Sequence, residues 1–337
     1  MYYSNSNLNN LNILRSIAIL LVVLSHIPII NLPEIYAKYS LGLIGVFIFF
    51  VHTSFVLMLS LKRIKIKNNF PIIILTFYIQ RIFRIYPLSI FSVLIFFYIY
   101  FLETNSFNLY KFICNIFLIQ NLTLNNSLPE VLWSLPYEVQ MYIFLPFIFL
   151  FTKYKDFKKK IIILWIFFII FLLFLKYYKL QYLYDIFHFF PIFFSGIFGF
   201  IFYKKNNKKI NCTYIFFYIF LIIIIYPILV NAKISENLLG VIFFTPLGWL
   251  IAKSKDSSNN FINAVCKKIA NYSYSIYLFH LLFINIFFKY LNFPINNLLK
   301  LLLFFLTTLI FSHIVYNFFE RPLIKIGKKL STTYNAL

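Results

Sequence analysis

The sequence predicts an all-α, polytopic integral membrane protein with about ten transmembrane helices and with the N- and C-termini in the cytoplasm. The 337 residues are 62% hydrophobic and only 12% charged. This apolar share, about 200 residues, is enough for ten spans of about 20 residues each. The net charge of +22 could suggest a nucleic-acid partner, but such a protein would be rich in charge overall. We therefore expect neither an ordinary soluble domain nor a nucleic-acid partner.

Ten long apolar runs are the predicted spans. They cover residues 11–30, 41–61, 86–102, 133–152, 160–177, 184–203, 212–230, 237–252, 269–290 and 297–318. Within the first run, the uninterrupted apolar stretch Ser16 to Leu24 has the length of a signal peptide, but an arginine lies just before it and no small-residue cleavage site follows it. We therefore expect it to be retained as a span. Residues 1–330 are predicted to form a single transmembrane domain, with a short tail at 331–337 and no appended soluble domain.

The basic residues alternate between the connecting segments in a pattern that predicts orientation. The segments after spans 2, 4, 6 and 8, the C-terminal tail and Arg15 together contain 24 of the 31 Lys and Arg residues. By the positive-inside rule, these segments and both termini face the cytoplasm. Because one missed or invented span would break the alternation, the charges support the count of ten independently of the apolar runs.

The first span contains two ionisable residues, Arg15 and His26, which are functional candidates because an ionisable side chain is costly in lipid. They are eleven positions apart, so they lie on one helix face with roughly 16 Å of axial separation. Arg15 could instead be an interface arginine and His26 a helix-packing residue. Together they suggest a path with a cation at one end and, partway along, an imidazole that accepts and returns a proton or carries a group near neutral pH.

The segment Arg81-Ile-Phe-Arg84-Ile-Tyr86-Pro87 places two arginines on one face of a short helix. Pro87 is expected to mark the point where that helix gives way to the third span. Two guanidinium groups at a membrane edge could bind lipid phosphate or hold a phosphorylated donor by bidentate contacts. The sequence leaves both alternatives open.

The segment Trp133 to Tyr142 introduces a carboxylate, Glu138, into an otherwise apolar helix, with Gln140 close by and Tyr142 four positions on. Glu138 could pair with a cation from another helix. It could also position or deprotonate a polar acceptor, or raise the basicity of a histidine.

Other polar residues rank lower. His280 shares a helix face with Ser273 and Tyr277, and Glu320 is expected to form a helix-terminating ion pair with Arg321. Three further histidines are interpreted as packing or interface residues: His52, His188 and His313. The cysteines Cys114, Cys212 and Cys266 are far apart and predict neither a disulfide framework nor a zinc site. The longest extracytoplasmic segment, about 103–132, could be re-entrant or face a substrate.

These motifs, in this order, resemble the acyltransferase 3 family of integral membrane acyltransferases. Leu11 to His26 is similar to the family's first helix and Gly45 to Val51 to its second-helix motif. Later motifs match at Arg81–Pro87, Trp133–Tyr142, Ser273–His280 and Glu320–Pro322. The resemblance implies a stand-alone inner-membrane O-acyltransferase that takes an acyl group, usually acetyl, from cytoplasmic acyl-CoA. The implied acceptor is a hydroxyl of a surface polysaccharide or of its lipid-linked precursor.

The resemblance also implies roles for individual residues. His26 would be the catalytic base or transient acyl carrier, Arg15 would stabilise the acyl donor and Glu138 would support the acceptor side. The donor-binding residues would be Arg81, Arg84 and Tyr86, while residues near the acceptor or supporting it would be Trp133, Ser134, Tyr142, Tyr277 and His280. No metal and no tightly bound cofactor is implied. The expected partners are membrane lipid, acyl-CoA and the sugar acceptor.

The second helix departs from the family pattern. Phe47 stands where the family usually has an acidic or polar residue, His52 replaces an apolar residue, and Thr53-Ser54 replaces Ser-Gly. These departures put in doubt whether the second helix contributes to the site in the way that it does in the family.

Two other functions remain open in the sequence. Intramembrane Arg, His and Glu residues could line the route of a polysaccharide-lipid flippase or other transporter, and a membrane polysaccharide polymerase would also act on lipid-linked sugars. A transporter should show symmetric broken helices and a polymerase a large extracytoplasmic loop. Inspection of the sequence indicates neither.

Overall fold

The computed structural model describes residues 9–28, 38–65, 69–203, 210–290 and 296–333. All regular structure in these ranges is helical, apart from an isolated parallel bridge between Ile210 and Ser254. Basic residues Lys67, Lys204, Lys205, Lys208 and Lys209 of the predicted cytoplasmic segments lie outside the described residues, as does the end of the predicted tail, 334–337.

Thirteen α-helices occur in the described ranges, and each predicted span overlaps at least one of them. They are α1 Asn9–His26, α2 Lys38–Lys65, α3 Phe70–Thr104, α4 Leu109–Ile116, α5 Leu135–Leu150, α6 Phe157–Tyr177, α7 Gln181–Phe187, α8 Phe190–Phe202, α9 Thr213–Asn231, α10 Glu236–Lys253, α11 Asn260–Ile284, α12 Asn297–Val315 and α13 Arg321–Thr333. Short 3₁₀ segments flank α5 at Glu130–Ser134 and Phe151–Lys153, and π-helical segments follow α11 at Asn285–Tyr290 and α12 at Tyr316–Glu320.

Eight helical stretches of the described chain are long and apolar enough to cross a membrane. They are Asn9–His26, Ser40–Ile64, Phe70–Thr104, Glu130–Lys153, Phe157–Tyr177, Gln181–Phe202, Thr213–Asn231 and Asn297–Thr332. A helix satisfies its own backbone polar groups, which is what a chain in lipid requires. The protein is therefore an all-helical, multi-pass membrane protein. The α10 and α11 helices are not among the eight stretches.

The helices form two compact units, each discontinuous in sequence. Unit 1 contains residues 1–55 and 192–274, and unit 2 contains residues 56–191 and 275–337. Because the divisions fall inside α2, α8 and α11, each of these helices contributes residues to both units.

Aromatic rings fill much of the interior of unit 1. The fully buried ring of Phe47 on α2 lies edge-to-face with Phe244 of α10 at 5.3 Å and with Tyr226 of α9 at 6.2 Å between centroids. Phe50 stacks on Phe193 of α8 at 4.2 Å. Such ring pairs add specific geometry to close packing.

Glycine allows helices of unit 1 to approach closely at two points. A Cβ atom at Gly45 of α2 would lie 2.6 Å from the Ala18 carbonyl oxygen of α1. A Cβ atom at Gly248 of α10 would collide with the Ser195 carbonyl oxygen of α8. Larger side chains would therefore force these helix pairs apart.

The long helix α3 is a main element of unit 2. Its 35 residues give a length of about 52 Å, and it continues through Pro87. The prediction that Pro87 ends a short helix is wrong. A proline removes only one backbone donor from a helix, and a neighbouring helix can support the weakened turn. The α13 helix packs beside that turn, since a Cβ atom at Gly327 would lie 2.6 Å from the Phe83 Cβ atom.

Side-chain amides order much of the segment 103–132 in unit 2. The fully buried Asn115 donates to the carbonyls of Lys111 at 2.9 Å and Asn126 at 3.3 Å. Its Oδ1 accepts from the Leu128 N–H at 2.9 Å. Part of the asparagine richness of this segment therefore has a structural role, since these bonds satisfy backbone groups that a regular helix would pair.

We expect Phe47→Ala to lower the stability of the protein in detergent, because it removes the ring contacts of unit 1 and leaves a cavity. A buried Phe→Ala change costs roughly 3 kcal/mol, which thermal unfolding of the purified protein can detect. Phe217→Ala on α9 is the matched control, since the Phe217 side chain is 59% exposed. Equal midpoints for the two variants would contradict the packing role of Phe47.

Candidate active site

The two predicted residues of the first span lie on one uninterrupted helix of unit 1. The α1 helix begins at Asn9 and ends at His26, and both Arg15 and His26 are half-buried. Eleven positions on a continuous helix keep the two side chains on one face, roughly 16 Å apart along the axis.

Arg15 is held by a serine of α11. The Arg15 Nε–H donates to the Ser273 Oγ at 2.5 Å, and the Ser273 hydroxyl donates to the Ala270 carbonyl of its own helix at 2.8 Å. Ser273 is 1% exposed. The buried Ser273 hydroxyl is a neutral acceptor and helps to orient the Arg15 guanidinium.

The imidazole of His26 is oriented by the last turn of α1. Its Nδ1 lies 2.7 Å from the Val22 carbonyl oxygen. Because a carbonyl only accepts hydrogen bonds, Nδ1 carries the proton in the neutral ring and Nε2 carries the lone pair. The Ser25 hydroxyl lies 3.1 Å from the same Nδ1 and donates to the Val22 carbonyl at 2.7 Å. With this tautomer, Nε2 is the basic nitrogen of the neutral ring.

The departures on α2 fall at packing positions of unit 1. Phe47 is fully buried among aromatic rings, and His52 is 7% exposed. The Ser54 hydroxyl donates to the Phe50 and Val51 carbonyls of its own helix, at 2.9 and 3.2 Å. At positions 47 and 54, α2 therefore contributes ring packing and helix-internal hydrogen bonds.

The two arginines of α3, in unit 2, have different surroundings. The Arg84 Nη1 forms an ion pair with the Glu320 Oε1 at 2.7 Å. The Arg81 guanidinium lies 5.9 Å from the centroid of the Phe77 ring, and its buried Nε has no hydrogen-bond partner among the described residues. Tyr86 donates to the Phe117 carbonyl at 3.3 Å.

The expected ion pair between Glu320 and Arg321 is wrong. The helix does not terminate there, because α13 begins at Arg321 directly after the π-helical segment that ends at Glu320. Glu320 is buried and faces Arg84 of α3, whereas Arg321 is exposed. A buried carboxylate requires a partner in its own low-dielectric surroundings, and the neighbouring exposed arginine does not provide one.

Glu138 lies in the first turn of α5, where the positive end of the helix dipole favours a negative charge. The Tyr142 hydroxyl donates to the Glu138 Oε1 at 2.6 Å. Gln140 points elsewhere and donates to the Asn121 Oδ1 at 3.2 Å. The nearby Trp133 ring lies 5.5 Å from the Phe189 ring.

Unit 2 also brings together Ser134 and Tyr277, which were both predicted near the acceptor. The Tyr277 hydroxyl donates to the Val131 carbonyl at 2.5 Å and lies 2.7 Å from the Ser134 Oγ. Since the phenol has one proton, the serine donates in the second bond. The fully buried His280 uses its Nδ1 on carbonyls of its own helix, Ile276 at 3.0 Å and Tyr277 at 2.9 Å.

Sequence reasoning missed the partners of two candidate cations. Arg15 and Ser273 are 258 positions apart, and Arg84 and Glu320 are similarly distant along the chain. No local spacing signals such pairs. In the described part of the chain, no three His, Cys, Asp or Glu side chains are grouped so that they could hold a metal ion.

The fold and these residues define a multi-pass helical membrane protein with cations, a carboxylate and an oriented imidazole inside apolar helices. A family model described as an acyltransferase domain matches residues 8–317. The chain therefore belongs to the acyltransferase 3 family, as its motifs predicted, and its function is of the membrane acyltransferase kind. The searches of curated proteins and of solved structures gave no match.

Tyr277→Phe should destabilise unit 2, because it leaves the buried Val131 carbonyl without the phenol donor and Ser134 without its acceptor. An unsatisfied buried polar group costs about 1–3 kcal/mol, which thermal unfolding in detergent can measure. Tyr98→Phe removes a hydroxyl from a side chain that is 64% exposed and serves as the control. An unchanged midpoint for Tyr277→Phe would mean that the two hydrogen bonds add nothing to stability.

Proposed function

We propose that the protein is an O-acyltransferase, with acetyl as the transferred group, that uses cytoplasmic acyl-CoA as its donor. The acceptor in this proposal is a hydroxyl of a surface polysaccharide or of its lipid-linked precursor. The observation that carries the proposal is the family match over 8–317, combined with a first helix that orients His26 and Arg15.

The chemistry assigned to His26 follows from the orientation of its ring. Nε2 takes the proton of the acceptor hydroxyl while the oxygen attacks the thioester carbonyl. The new C–O bond forms, the C–S bond breaks, and the imidazolium returns its proton to the leaving CoA thiolate. In the covalent variant, Nε2 itself attacks the thioester and the acyl group then passes from the imidazole to the acceptor.

Arg15 is assigned to the donor because its positive charge suits an anionic group of acyl-CoA. It lies about 16 Å from His26 along α1, so it would hold the donor at a distance from the reacting thioester. Its Nε is engaged by Ser273, so the guanidinium has a defined direction before any donor binds. Preorganisation of this kind avoids reorganisation during the reaction.

The anionic groups of CoA are assigned to the arginine face of α3, with Arg81, Arg84 and Tyr86 as the proposed donor-binding residues. Guanidinium groups match phosphate oxygens in geometry and charge. No tightly bound cofactor forms part of the proposal, since acyl-CoA is a substrate.

The acceptor side is assigned to Glu138, whose carboxylate already accepts a hydrogen bond from Tyr142. Trp133 offers a ring surface nearby in the chain. Ser134, Tyr277 and His280 are proposed to support this region through the buried hydrogen bonds described above.

The proposed setting is the cytoplasmic membrane, with ten spans and both termini inside. The ten spans would be the eight apolar stretches together with α10 and α11, which are the remaining helices at predicted spans. The distribution of Lys and Arg supports this orientation. The family match favours acyl transfer over the flippase, transporter and polymerase alternatives.

His26→Ala should reduce acyl transfer by at least about 100-fold, since the reaction loses its proton acceptor. Membrane insertion should be unchanged. His313→Ala is the control, because His313 is exposed and bonds Asn317 on the same helical stretch. Transfer is read as the acetyl increment in mass spectra of surface glycans from cells with and without each variant. Retained acetylation in His26→Ala cells would remove the central claim, and altered chain length or lost export in the deletion would favour the alternatives.

Arg15→Ala, and separately the double change Arg81→Ala/Arg84→Ala, should weaken use of the donor. Loss of charge-assisted hydrogen bonds costs about 1.5–3 kcal/mol, so the KM for acyl-CoA should rise about 10- to 100-fold. Lys325→Ala, an exposed lysine of α13, controls for a general loss of positive charge. An unchanged dependence of rate on acyl-CoA concentration would count against the donor role of these arginines.

A further inference from the structure

The α13 helix packs one side against α3 in unit 2. A Cβ atom at Gly327 would lie 2.6 Å from the Phe83 Cβ atom, and the Gln80 amide of α3 donates to the Ser331 hydroxyl at 2.9 Å. Gly327 and Ser331 are both buried, and their spacing of four positions places them on the same side of the helix. This contact determines which residues of α13 remain outside the packed interior of unit 2.

A second side of α13 carries exposed cations. They are Arg321, Lys325, Lys328 and Lys329. With 3.6 residues per turn, they fall within an arc of roughly 100°. Their side chains have no ion pair or hydrogen bond within the described chain, and residues 321–337 include no Asp or Glu. This uncompensated positive charge attracts a negatively charged partner.

A third side of α13 exposes apolar residues. Ile326 and Leu330 are 47% and 41% exposed, and their spacing of four positions aligns them along the helix. They lie roughly 130° around the helix axis from the middle of the cationic arc. A helix with separate cationic and apolar sides is typical of one that lies at the surface of a membrane.

The position of α13 in the chain places it at a membrane edge. The preceding helix α12 has 19 residues. Its length of about 28 Å is close to the thickness of the hydrocarbon core. The span is therefore nearly complete where the segment Tyr316–Glu320 leads into α13. The distribution of Lys and Arg favours the cytoplasmic side for this end, where anionic phospholipids give the leaflet a negative surface potential.

We propose that the cationic side of α13 binds the headgroups of anionic phospholipids, while Ile326 and Leu330 contact the acyl chains of the same leaflet. A soluble anion would neutralise the cations but leave the apolar side in water, whereas a lipid covers both. The inference goes beyond the proposed function. It does not depend on the proposed donor, acceptor or reaction.

The experiment measures how far phosphatidylglycerol stabilises the purified full-length protein in detergent. A lipid that binds the folded state raises the midpoint of thermal unfolding, and each shift is measured from the midpoint of the same variant without lipid. Phosphatidylcholine, which has no net charge, is the control lipid. Phosphatidylglycerol should give the wild type the larger shift. High salt should reduce the difference, because it screens exposed charges.

The triple variant Lys325→Gln/Lys328→Gln/Lys329→Gln tests the cationic side directly. The phosphatidylglycerol concentration that gives half of the maximal shift should rise at least tenfold, because each lysine near an anionic surface adds to the attraction. Arginine at the same three positions keeps the charges and should keep the response of the wild type. An unchanged response of the glutamine variant would overturn the inference.

A matched control removes three exposed lysines near the start of α6 in the same unit, as Lys155→Gln/Lys158→Gln/Lys159→Gln. Its half-maximal concentration should stay within twofold of the wild type. An equal loss in both glutamine variants would indicate a general attraction between cations and lipid, and would overturn the assignment to α13.

The donor is the other anionic molecule that the α13 lysines could bind. If the α13 glutamine variant responds normally to phosphatidylglycerol but has a higher KM for acyl-CoA, these lysines bind the donor and the inference is wrong. If the wild type shows no transfer from acyl-CoA, the proposed function falls, while the lipid response still decides the inference.

Discussion

The inability of lipid to form hydrogen bonds is the constraint on which this structure depends. Backbone groups are satisfied inside helices, so each buried polar side chain must find a partner on its own helix or on another. Several buried polar side chains of the described chain meet this requirement through contacts between helices, such as Arg15 to Ser273 and Arg84 to Glu320. The candidate functional residues therefore also connect helices to one another within each unit.

The α11 helix supplies a large share of these partners. Ser273 accepts from Arg15 in unit 1, and Ser275, two positions further on, donates to Glu320 in unit 2. Tyr277 bonds the segment before α5. These polar side chains also lower the apolarity of α11, which is not among the eight stretches apolar enough to span by composition. Its polar character is thus linked to its role as a source of hydrogen-bond partners.

Much of the secondary structure was predictable, because long apolar runs and helical spacing are local properties. Helices occur at all ten predicted spans, and Arg15 and His26 share a face because one helix carries both. The errors came where packing outweighed local preference. The α3 helix continues through Pro87, and α13 begins where the sequence suggested a terminating ion pair. A proline signals a weakened turn, but whether neighbouring helices support that turn depends on contacts that the local sequence does not encode.

The sequence by itself determined the class of protein, the helical segments, the family and the ionisable residues that lipid would not tolerate without a reason. Only the tertiary structure decided which partner each of these residues has. It directed Glu320 to Arg84 rather than to the adjacent Arg321, and it left the Nε of Arg81 without a partner in the described chain. The physical reason is that helical periodicity specifies the face on which a side chain lies, whereas the neighbour across that face comes from a helix more than two hundred positions away.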